Sequence, residues 1–147
     1  MNDNQFYFDI SWIKEIPRQE LKGFEDEVVY RVARMTLDFT IPHIPYLTGR
    51  LKNSSLAFGV QGENKVYRLG AGVPYAKTVW NYDQETTNWT NPRSYSQWFF
   101  TEYNNKKETI LGNAITISYK NWKWLYDWTR YQKQKSSINW LLINNYY

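Results

Sequence analysis

Leu21, Phe24, Val28, Val32, Met35 and Phe39 are separated by 3, 4, 4, 3 and 4 positions. That spacing lines one face of an α-helix and predicts a long amphipathic helix from Pro17 to about Thr40. Pro17 suits the first helical turn, where its missing N–H is no loss. Pro42 ends the helix, because the residue before a proline is pushed out of the helical region. Gly23 inside this span costs about 1 kcal/mol relative to alanine, or else marks a start just after itself. Glu27 and Arg31, four apart, add a weak ion pair on the exposed side.

On either side the period changes. Phe6 to Ile10 alternate apolar with polar and predict a short strand. Ile41 to Pro45 form a stiff linker, and Thr48 or Asn53 is placed to cap a short helical turn around Leu51. Leu56, Phe58 and Val60 alternate with Ala57, Gly59 and Gln61. Gly62 to Lys65 is a turn cluster, and Val66 to Leu69 resumes the alternation. Two such runs across a turn predict a β-hairpin. Pro74 then opens a short helix carrying Tyr75, Ala76, Val79 and Trp80.

Asn81 to Pro92 is polar, a loop long enough to carry function. Trp89 stands alone in it, either a peg packed under the loop or a partner contact. Asn91 before Pro92 predicts a helix start. That helix carries Tyr95, Trp98, Phe99 and Glu102, and continues or restarts through Ile110, Ala114 and Ile117. Past Lys120 aromatic residues crowd together. Trp124, Trp128 and Tyr131, spaced 4 and 3, predict one more amphipathic helix. Ser136 and Ser137 separate it from a last apolar patch, Ile138 to Ile143, which includes Trp140. The expected fold is α+β: a long N-terminal amphipathic helix packed on a small antiparallel β-sheet, followed by further helices.

With 147 residues, 42% of them hydrophobic, the chain suits one cored domain. It divides into an α+β domain over 1–119 and an aromatic-rich C-terminal extension over 120–147. Aromatic residues make up 19% of the chain, 8 of them Trp, which weights it toward buried or interfacial aromatic surface. The formal charge of +4 permits contact with an acidic surface without demanding one. There are no cysteines, so disulfides, thiolate metal sites and cysteine nucleophiles are excluded. The first residues lack the basic and apolar regions of a signal peptide, and no apolar run reaches membrane-span length.

Enzyme motifs are missing. The glycines have neither nucleotide-loop spacing, and there is no HExxH, calcium loop or GxSxG. His43 has no acidic or thiol partner at ligand spacing and reads as incidental. No catalytic, cofactor-binding or metal residue is expected. Lys120, Lys123, Arg130, Lys133 and Lys135 interleave with Trp and Tyr. Such a mixture suits a nucleic-acid-binding module as well as a helix with one solvated and one buried face. The same aromatics suit a sugar-binding surface.

Three phrases stand in fixed order. They are Pro45 with Thr48-Gly49-Arg50-Leu51-Lys52-Asn53-Ser54, then Pro74-Tyr75-Ala76, then Asn91-Pro92 ahead of Trp98-Phe99. Each has a physical reading. Thr48 and Gly49 allow a sharp entry into a helix, Pro74 fixes the exit from the hairpin, and Ala76 lets a helix sit close to the sheet. In this order they resemble the minor capsid and tail-completion proteins of tailed bacteriophages, over roughly Pro17 to Ile117. The aromatic tail lies outside that pattern. The resemblance implies a non-enzymatic virion protein of the head–tail junction, assembled in the host cytoplasm. It implies a homo-oligomeric ring with other neck, connector and tail proteins as partners, DNA passing through the lumen, and no membrane. Asp83 and Trp89 are then the expected contacts with the next ring. Trp124, Trp128, Tyr131 and Trp140 are the expected subunit or partner contacts. A nucleic-acid-binding module using the basic, aromatic C-terminal segment is the alternative.

Overall fold

The computed structural model describes residues 6–10, 13–21, 23–45, 49–87 and 89–145; beyond residue 125, side chains are described only at 127 and 130. The fold is α+β. Strand β1 (Phe6–Asp9), β2 (Gln61–Glu63) and β3 (Val66–Ala71) form an antiparallel sheet in the order β1-β3-β2. Phe6 faces Ala71 and Phe8 faces Leu69 across one ladder, and Glu63 faces Val66 across the other. Helix α1 (Glu25–Thr40) packs against β3 and against the longest helix, α4 (Trp98–Asn145). Helices α2 (Arg50–Phe58) and α3 (Ala76–Trp80) lie between them in sequence, and α2 packs on β3.

The long helix is therefore not the N-terminal one. Gly23 sits at φ +83°, the left-handed region, and interrupts the expected span. Pro17 instead precedes a single 3-10 turn, Arg18–Glu20, and α1 starts at Glu25 with three carboxylates in its first turn, where the helix dipole favours them. At the other end Pro42 falls in a 3-10 turn just past Thr40. The buried face of α1 is broader than the spacing implied. Val28, Val29, Val32, Ala33, Thr36, Leu37 and Thr40 are buried, whereas Met35 and Phe39 are only partly so. Thr36 and Thr40 are accommodated because each hydroxyl donates to the carbonyl four residues back.

The hairpin is shorter than expected. Leu56 and Phe58 belong to α2, where Leu51, Ser55 and Phe58 are buried at helical spacing and Leu56 is 43% exposed. Only Gln61–Glu63 remains as the first strand. The turn is Asn64-Lys65, both at positive φ (52° and 71°), the twist that suits a two-residue hairpin loop. Asp26 of α1 fixes it: one carboxylate oxygen accepts from Lys65 N at 2.7 Å and from the Tyr67 hydroxyl at 2.6 Å.

Burial, and then the bond to Asp26, push the Tyr67 hydroxyl up to about 12. Burial and Glu15 push Tyr103 upward as well. A phenol whose folded value lies above its unfolded one stabilises the fold fully below about pH 10. That contribution drains away as pH rises toward 12. Thermal melts in this window should show a steep alkaline loss of stability that is shallower in Tyr67→Phe. Equal slopes for the two proteins would refute the assignment.

The core lies where α1, β1, β3 and α4 meet. Phe8, Leu69 and Ala71 supply the sheet face, and Trp98, Phe99, Tyr103, Ile110 and Ala114 supply α4. Two expected helix boundaries differ. The helix expected at Asn91-Pro92 begins only at Trp98. The separate tail helices are one continuous helix through Ser136 and Ser137, since no Pro or Gly follows Gly112.

Candidate interaction surface

The three ordered phrases meet through named contacts, except that Thr48 lies outside the described residues. Gly49 is the first residue before α2, at φ +82°, and Leu51 behind it is buried. Arg50 lies over the Tyr75 ring at 5.9 Å, and the Ser54 hydroxyl accepts from Gly72 N at 2.7 Å. The first phrase is thereby tied to the second. Ala76 is buried while Pro74 and Tyr75 are exposed. Trp80, at the end of α3, meets Trp98 edge-on at 4.8 Å, which ties the second phrase to the third.

Asn91 is not a helix cap. Its side chain donates to Pro42 O at 3.0 Å and accepts from Arg93 N at 3.1 Å. Next to it lies a pair that sequence spacing could not reveal. His43 Nδ1 is 2.6 Å from Arg93 O, and since a carbonyl only accepts, Nδ1 carries a proton. The His43 ring stacks on Tyr95 at 4.4 Å, and Tyr95 N donates to His43 O. Nε2 points at Glu102 Oε2, 3.5 Å away. Glu102 is 1% exposed, and this oxygen has no hydrogen bond among the described residues. With Nδ1 committed to Arg93 O, Nε2 is the ring nitrogen left to face this carboxyl group. This clamp anchors the polar loop to the segment after α1.

Asp83 and Trp89 both lie in the polar loop and both have local duties. Asp83 accepts from Glu85 N and Thr86 N, stabilising a turn, and is itself exposed. Trp89 is half-buried, 6.2 Å from the Tyr82 ring, and its indole nitrogen is buried without a partner among the described residues.

The remaining expected contacts lie on α4. Its 48 residues span about 72 Å, whereas a compact body built from the rest of the chain is roughly 35 Å across. One end must run past the body. Trp122 packs on Phe24 at 5.6 Å and against Gly23, and Asn121 donates to Glu27 Oε1. The same Glu27 oxygen pairs with Arg31 at 2.9 Å. Just beyond, Trp124 is 66% exposed and Leu125 56%. Lys120, Lys123, Asp127 and Arg130 are exposed too, and Lys123 pairs with Asp127 at 3.2 Å. Trp128, Tyr131 and Trp140 fall on this helix, and their side chains lie outside those described.

Comparison of the chain with family models, with curated proteins and with solved structures gave no match. Among the described residues no group of His, Asp and Glu gathers as it would around a metal ion, and no helix is long and apolar enough to cross a membrane.

Proposed function

We propose that this protein is a structural subunit of the head–tail junction of a tailed bacteriophage, assembled as a ring in the host cytoplasm and retained in the virion. The observation that carries the reading is the arm of α4. A helix that outruns its body and leaves Trp124 and Leu125 exposed fits a protein built to contact other macromolecules. The ordered phrases add support, because Arg50–Tyr75, Ser54–Gly72 and Trp80–Trp98 lock them into one rigid body. In this reading the arm reaches the neighbouring macromolecule, and the Asp83–Asn91 loop, anchored by Asn91 and His43, meets the next ring. No catalytic step is assigned.

Light scattering with negative-stain imaging of the same sample tests this. Closed rings are expected, either alone or after addition of purified phage connector. A protein that stays monomeric in both conditions would sink the proposal. So would a gene neighbourhood lacking portal, capsid and tail-tube genes.

A further inference from the structure

Charge is divided unevenly along this chain. Residues 1–119 hold thirteen Lys and Arg against thirteen Asp and Glu. Residues 120–147 hold five cations, Lys120, Lys123, Arg130, Lys133 and Lys135, against one anion, Asp127. The entire net charge of +4 therefore belongs to the segment that forms the arm, while the body is neutral. Within the part whose side chains are described, the cations alternate with exposed aromatic and apolar groups: Tyr119, Lys120, Lys123, Trp124, Leu125, Arg130.

We propose that the arm of α4 binds single-stranded nucleic acid. Its cations neutralise successive phosphates, and Trp124 offers an indole face on which an unpaired base stacks. A basic surface interleaved with exposed aromatics suits this ligand, because every base has a π-face and every nucleotide a phosphate. Duplex DNA fits less well: its bases are already stacked on one another, so no base face is open to Trp124. An acidic protein surface would satisfy the cations but leave no specific use for the indole. Asp127 is the cost, since it competes for Lys123 at 3.2 Å until a phosphate displaces it. The inference does not require the ring, because each protomer carries its own arm.

The test is fluorescence anisotropy of labelled oligo(dT) with the full chain, titrated with salt. If all five cations engage, log K should fall against log salt with a slope of about −3.5, a roughly hundredfold loss between about 50 and 200 mM. Lys120→Glu with Lys123→Glu should weaken binding at least about tenfold, and the body variant Lys77→Glu should not. Trp124→Ala should cost roughly tenfold on the single strand and nothing on a duplex of the same length. A duplex bound more tightly than the single strand overturns the proposal. Equally effective competition by poly-glutamate overturns it in favour of an acidic protein partner. No binding at low salt overturns it outright. Because oligonucleotide binding and ring formation are read by separate measurements, failure here leaves the light-scattering result on ring formation unaffected.

Discussion

Trp98→Ala is expected to destabilise the protein by about 4 kcal/mol, the middle of the range for truncating a buried large aromatic. Trp98 is fully buried and meets Phe6 of β1 at 5.9 Å, Trp80 of α3 at 4.8 Å and Phe99 at 6.0 Å. It is also the first residue of α4, directly after Gln97, whose φ of +46° and bond to Trp80 O set the entry into the helix. Removing the indole therefore opens a cavity where strand, short helix and long helix converge. A chemical-denaturation midpoint and a melting temperature lowered by roughly 10 °C would register it. A loss under about 1 kcal/mol would show that the site collapses without penalty and that Trp98 does not join the three elements.

His43→Ala should cost about 3 kcal/mol, because it leaves the buried Glu102 carboxyl group without the imidazole that faces it. It also strands the Arg93 carbonyl and removes the ring stacked on Tyr95. Glu102→Gln should behave differently. Its amide can donate to a neutral Nε2 while Nδ1 keeps its bond to Arg93, so the loss should stay within about 1 kcal/mol. A double-mutant cycle at neutral pH separates the pair's coupling from the packing lost with each side chain. Equal losses in the two single variants would mean that the ring stacked on Tyr95 adds nothing beyond its contact with the Glu102 carboxyl group.

How far such contacts can be read from sequence depends on their range. Val28 and Val32 were legible on α1 because a helix repeats its buried face locally. The strand after the hairpin turn was legible from its alternation, whereas the expected turn, Gly62 to Lys65, was too long, since Gly62 and Glu63 belong to β2. His43 was not, since its acidic partner lies 59 positions away on another element. Leu56, Phe58 and Val60 misled because a window of five residues satisfies the strand period. The competing helical set Leu51, Ser55 and Phe58 has a polar residue in its middle. Asn91-Pro92 misled because an Asn side chain able to cap a helix can equally hold a distant carbonyl, here Pro42 O. The aromatic richness of the tail was legible in composition alone. That it continues α4 without interruption follows from the absence of any stop signal, which is weaker evidence than the presence of one.

The unbroken passage of α4 from core to arm has a geometric consequence. Ala114 and Ser118, buried against the body, and the exposed Trp124 are held in one fixed angular relation by the continuous helix. One residue inserted between them would turn the arm by about 100° while moving it only about 1.5 Å, so that Trp124 would face a different direction from the same body. Seven inserted residues would turn it by only about 20° and lengthen its reach by about 10 Å. In this molecule the azimuth of the arm is dictated by core packing, whereas its length is free to vary in whole heptads.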